Sequence, residues 1–98
     1  MPRYRLTRAA DGDIAAIFLT GVEIFGQAQA GAYHTGMAET FAFLANYPRA
    51  ARLRAEIVPP VRAWPYKAHL IVYHVEAETV LILRVRHSRE DWIGDREA

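Results

Sequence analysis

The 98-residue chain is 52% hydrophobic and 23% charged, with no cysteine and a formal net charge of +1. That is enough apolar side chain for one compact core and too much for a disordered chain. It excludes thiol catalysis, disulfides and cysteine-ligated zinc, and no run approaches the ~20 apolar residues of a membrane span. The basic opening MPRYRLTR has no apolar stretch behind it, so no secretory signal is expected and a cytoplasmic location is.

The small net charge conceals an uneven distribution. Residues 10–47 carry Asp11, Asp13, Glu23 and Glu39 and no Lys or Arg, whereas residues 48–69 carry Arg49, Arg52, Arg54, Arg62 and Lys67 against Glu56 alone. Such a split suggests one basic surface meeting an acidic partner, protein or nucleic acid; the simpler reading is a solvated basic loop.

In chain order, Tyr4-Arg5-Leu6 is a short opening strand and Thr7 is placed to cap a helix. Asp11 and Asp13 fall in the first turns, where the helix dipole favours negative charge. Ala10, Ile14, Ile17, Phe18, Gly21 and Phe25 recur at three and four residues and predict an amphipathic helix ended by Gly26. A second helix has the stripe Ala30, Tyr33, Met37, Phe41 and Leu44 and stops at Pro48. The two should form an antiparallel hairpin, with Gly31 and Gly36 allowing close helix–helix approach. Residues 49–60 read as a connecting loop. The period then becomes two, predicting strands over Val61 to Tyr66, His69 to Glu76 and Thr79 to His87.

The expected fold class is α+β: an N-terminal strand, a helical hairpin, then a three-stranded antiparallel meander, with the helices on one face of an antiparallel sheet. One domain covers residues 1–98, with a C-terminal tail from about residue 89. In the last strand, alternation places Leu81, Leu83 and Val85 on the core side. It sends Arg84 and Arg86 to the open face, where Arg62 can join them. Surface pairing with Glu76, Glu78 or Glu90 is the plainer role for these arginines.

Chemical motifs are sparse. His34, His69, His74 and His87 lack ligand spacing, so no metal and no cofactor are expected. His87, among Arg84, Arg86 and Arg89, offers a proton acceptor for RNA cleavage with Arg62 and Arg84 holding phosphate, but no acid follows it closely. The simpler role for His87 is to close the strand end with a backbone hydrogen bond. The glycines form no phosphate loop, and Ser88 has no triad geometry. Trp64, Tyr66 and Tyr73 offer ring faces for bases but fit equally a core or an interface. In the charged tail, Trp92 and Ile93 are the only large apolar groups, suited to docking on the body or on a partner.

In combination, YRLTRAADGDIAAIF, the helix stop FLANYPR, the strand HLIVYHVE and the ending VLILRVRHSR resemble the RelE/ParE superfamily of type II toxins. The match lies on its ParE branch and runs from Tyr4 to about Trp92. The resemblance implies the toxin of a toxin–antitoxin system, neutralised by a ParD-like antitoxin that itself binds operator DNA. Gyrase is the implied target, inhibited by binding rather than by catalysis. In this reading Arg84, Arg86, Arg89 and Trp92 contact the target, and Ile17, Phe18, Arg52, Arg54 and Arg62 contact the antitoxin. The alternatives are a RelE-type ribosome-dependent endoribonuclease using His87, Arg62 and Arg84, and an inactive toxin serving only as antitoxin partner. His87 is followed by Ser88 and Arg89 rather than by an aromatic acid, which favours the ParE branch.

Overall fold

The computed structural model describes residues 3–89. The chain runs β1 (Arg3–Leu6), α1 (Arg8–Phe25), α2 (Gln27–Asn46), β2 (Leu53–Arg54), β3 (Val61–Tyr66), β4 (His69–Glu76) and β5 (Thr79–His87). The helical hairpin lies on one face of the sheet, as the alternation of apolar residues requires.

Thr7 starts α1 and also ties it to the sheet. Its hydroxyl accepts the Ala10 N–H at 3.0 Å and donates to the Leu83 carbonyl at 2.7 Å. Gly26 alone joins the helices, at φ +90, a conformation that costs glycine little. Its N–H reaches the Val22 carbonyl, and its own carbonyl accepts the Ala30 N–H. The close approach between helices falls at Gly21, where an added Cβ would lie 3.3 Å from that of Ala30. The expected roles of Gly31 and Gly36 are thereby corrected. Gly31 faces open space, and Gly36 makes room for the Tyr66 hydroxyl of β3.

The sheet order is β1-β5-β4-β3-β2. The meander β3-β4-β5 is antiparallel, but β1 pairs parallel with β5, so the sheet is mixed rather than antiparallel. Four residues carry too little pattern for strand direction to be read from them. Residues 49–60 are more than a loop: they contain β2, and Ile57 is fully buried.

A bulge revises the facing of β5. Val72 pairs with Arg84 and Tyr73 with Ile82, leaving Leu83 as the extra residue. Val80, Ile82 and Val85 therefore all enter the helix-side core with Met37, Phe41 and Leu44. Leu83 packs on the opposite face, against Ile57, Val61 and Val72. Of the expected inward set Leu81, Leu83 and Val85, only Val85 is on the helix side, because one inserted residue shifts a period of two by one step.

Buried polar groups fix the turn after α2. The Tyr73 hydroxyl donates to the Pro48 carbonyl at 2.8 Å and accepts the Ala51 N–H at 3.3 Å. Burial raises its pKa, against the lowering influence of the Ala51 N–H and the Arg62 charge, so it stays a protonated donor. Arg62 donates to the Ala51 carbonyl at 2.6 Å.

Candidate functional site

Three features converge where β5 ends. The first is Asp13, on the sheet side of α1 just past the point where β1 stops pairing with β5. Its carboxylate accepts two bonds from Arg84, at 2.8 and 2.9 Å, and a third from the Val85 N–H at 2.9 Å. Burial pushes the Asp13 carboxyl up. The Arg84 and Val85 bonds and the charges of Arg84 and Arg86 outweigh this, leaving it below its ordinary value. With Thr7, Asp13 replaces the missing strand partner along the edge of β5.

The second is a cluster of rings at the β4–β5 end. Burial raises the Tyr33 pKa, with the Ala68 N–H opposing and Tyr66 adding to the rise. The protonated hydroxyl lies 2.7 Å from His69 Nδ1. The His69 ring meets that of His87 edge-on at 5.4 Å. His87 Nδ1 accepts the Arg89 N–H at 3.1 Å, which places the proton of a neutral ring on Nε2. Tyr66 donates to the Tyr33 carbonyl, and Lys67 Nζ stands 5.6 Å from both tyrosine rings.

The third is an apolar groove of about 530 Å3 between the hairpin and this ring cluster. Ile17, Phe18, Ile24, Phe25 and Met37 line it, and His69 and His87 form its end. Leu19, Ile24 and Phe25 on the hairpin are strongly exposed, at 60–64%. The stripe expected to be core throughout is therefore core only in its first half: Ala10 and Ile14 are buried and Phe25 is not.

The candidate residues fall in separate places. Ile17 and Phe18 line the groove. Arg52 and Arg54 lie at the far edge, around β2, with Arg54 3.8 Å from Glu56. Arg62 pairs across the sheet with Tyr73, while Arg86 pairs with Leu70, so these two arginines face opposite sides. Arg62 is also four residues along the strands from His87, about 13 Å. Arg84 is turned to Asp13 rather than to the expected glutamates. The ribonuclease set Arg62, Arg84 and His87 is thus not gathered around one point. Arg89 is exposed beyond β5; Trp92, Ile93 and Glu90 lie outside the described residues.

Asp13, Tyr33 and His69 were missed as site residues. Asp13 looked like a dipole group, and only the pairing of α1 with β5 gives it another role. Among the described residues no three His, Asp or Glu side chains converge as metal ligands, and no helix is long and apolar enough to cross a membrane.

A two-helix hairpin on a five-stranded mixed sheet, with a groove at the hairpin and a basic far edge, defines a small α+β domain. Its fold matches that of a chain from the chromosomal ParDE TA system from P. aeruginosa. The TM-score is 0.75 at 24% identity, covering 89% of this chain and 95% of that one. A family model described as the ParE toxin of the type II toxin–antitoxin system, parDE, matches residues 4–92. Toxin ParE3 of Caulobacter vibrioides is 30% identical over 89 residues, 91% of this chain and 89% of that protein. The chain belongs to the ParE family of toxins of type II toxin–antitoxin systems.

Proposed function

We propose that this ParE-type toxin inhibits DNA gyrase by binding and that a ParD-like antitoxin neutralises it, touching operator DNA only through the antitoxin. The observation that carries the protein-binding half is the exposed apolar groove at the hairpin. Its walls are apolar and open, fit to take an amphipathic segment whose apolar side chains lie against Ile17 and Phe18. Acidic residues of the same partner would reach Arg52, Arg54 and Arg62, which steers association. The target contact is assigned to the end of β5 and beyond it: Arg86, Arg89 and Trp92, with Arg84 held in place by Asp13.

Binding rather than catalysis is supported by the engagement of the would-be catalytic groups. Arg84 is committed to Asp13, and His87 Nδ1 to the Arg89 N–H. In a neutral His87 this leaves Nε2 a donor, not the acceptor that attack by a ribose hydroxyl needs. The test is tightly induced expression of the chain alone, with DNA and protein synthesis followed separately by pulse labelling. Early arrest of DNA synthesis, relieved by altered gyrase alleles and by co-expressed antitoxin, is expected. Early arrest of translation with cleaved messages would overturn the reading in favour of a ribonuclease. No arrest at all would leave an inactive partner of the antitoxin.

A further inference from the structure

We propose a second, separate binding site: an aromatic platform at the C-terminal end of α2 that stacks the bases of single-stranded nucleic acid. Phe43, Tyr47 and Trp64 form a continuous trio, with Phe43 5.2 Å from Tyr47 and 5.4 Å from Trp64, both tilted by 41°. Two of the three rings lie on the surface, Tyr47 at 62% exposed and Phe43 at 39%, while Trp64 is half-buried and anchors them to the core. Large rings at a surface are costly unless covered, and two adjoining exposed rings backed by a third are more than scattered exposure.

The surroundings choose the occupant. Tyr47 and Phe43 share an open cleft with Arg49, and Arg52 follows three residues later. Neither arginine forms an ion pair among the described residues. Glu56 pairs with Arg54, and Glu39 lies one helical turn before Phe43. The patch thus presents exposed π-faces with the cation Arg49 in the same cleft, which is the pairing that bases and phosphates require. An acidic peptide would satisfy the arginines but leave the ring faces unused.

The turn that carries these groups is rigid. Tyr47 N–H reaches the Phe43 carbonyl at 2.9 Å and Ala50 N–H the Tyr47 carbonyl at 3.0 Å. Tyr73 from the core and the half-buried Arg62 then clamp Pro48 and Ala51. The backbone that carries Tyr47 and Arg49 is therefore held in position before any ligand arrives, which lowers the entropy lost on binding. The inference does not depend on gyrase being the target.

The test uses the purified full chain and fluorescein-labelled 12-nucleotide oligo(dT) and oligo(U), followed by anisotropy across a salt series, with a duplex of equal length as comparison. Tryptophan emission of a Trp92→Phe chain, which reports Trp64 alone, should be quenched on binding, and the single strands should bind more tightly than the duplex. Relative affinity for the two oligomers tells whether DNA or RNA is the preferred source. Tyr47→Ala should weaken binding about tenfold while Tyr47→Phe keeps it, because the ring face and not the hydroxyl does the stacking. Arg49→Ala should weaken binding and lower the salt slope by about 0.7. The proposal is overturned by duplex binding equal to that of the single strand, or by unchanged affinity in a folded Tyr47→Ala chain. It is equally overturned if Tyr47→Ala instead dissolves a dimer of this chain without altering oligonucleotide binding.

Discussion

The Asp13 carboxylate and the Arg84 guanidinium face each other through two parallel hydrogen bonds, and Asp13 takes a third from the N–H of Val85. A helix side chain thus continues the hydrogen bonding of a strand edge beyond the point where β1 ends at Leu6. One contact joins α1 to β5, fixes Arg84 and sets how the hairpin sits over the end of the sheet. The Asp13 side chain is 14% exposed and that of Arg84 40%, so the pair is neither fully screened nor fully desolvated. A bidentate charge-assisted bond in this setting stabilises by about 1.5–3 kcal/mol. Exposure of Arg84 places the expected value at the low end.

Asp13→Ala is therefore expected to cost about 2 kcal/mol in urea denaturation at neutral pH, and Arg84→Ala less. Asp13→Ala also strands the Val85 N–H, which Arg84→Ala does not. A double-mutant cycle should return a coupling of about 1 kcal/mol or more. Independent, additive effects would show that the two groups do not act as a pair in solution.

The same pair makes stability depend on acid. The Asp13 pKa is depressed in the folded chain, so the unfolded chain binds its proton first as pH falls. The stabilisation is then complete above the unfolded carboxylate value of about 4 and is lost as pH drops through the lower folded value. Denaturation midpoints measured from pH 6 down to pH 2 should fall more steeply for the parent chain than for Asp13→Asn. Equal slopes would remove Asp13 from the acid response.

The three glycines around the hairpin separate steric need from helix propensity. Gly31 has nothing within 4 Å of a built Cβ, so Gly31→Ala should gain roughly 0.5–1 kcal/mol. Gly36→Ala meets the Tyr66 hydroxyl and should be net destabilising despite the same intrinsic gain. Tyr66→Phe removes the nearest atom, leaving the ring carbon at 3.2 Å, and should restore part of the loss. Gly26→Ala should destabilise through its φ of +90 alone. Thermal melts of the four chains check the order.

Element positions were legible because they are local. The Thr7 cap, the Gly26 break and the Pro48 stop act within a turn of themselves, and the strand alternation of β3 and β4 repeats along each strand. What was not legible depends on pairing at a distance. The bulge at Leu83 is visible only in the register against Val72 and Tyr73, and it moved Val80 and Ile82 inward. Strand direction for β1 rests on hydrogen bonds to β5, seventy-six residues further along the chain in the Arg3–Thr79 pair. The site suffered from the same limit. Ile17 and Phe18 were readable from helical spacing as an apolar stripe, but the partner of Arg84 was not. An aspartate in the first turns of a helix carries an adequate local explanation that hides its tertiary one.

His87→Ala is expected to leave growth arrest within about twofold of the parent chain, scored by colony counts after induction. The side chain closes the strand end against the Arg89 N–H, a role worth about 1 kcal/mol of stability rather than a step of chemistry. A folded His87→Ala chain that no longer arrests growth would return the activity to a catalytic histidine and revive the ribonuclease alternative.

Antitoxin and target recognition should be separable at the groove. Ile24 is 64% exposed yet lines the groove, so Ile24→Asp removes little core packing while placing a charge where an apolar segment must lie. The expected result is at least a tenfold loss of antitoxin affinity by titration calorimetry, with thermal stability nearly unchanged and growth arrest retained. Arg86→Ala and Arg89→Ala, at the end of β5 and just beyond it, should weaken arrest while antitoxin affinity stays close to that of the parent. If Ile24→Asp abolishes arrest and leaves neutralisation intact, the groove belongs to the target, and the antitoxin must grip the basic edge formed by Arg52, Arg54 and Arg62.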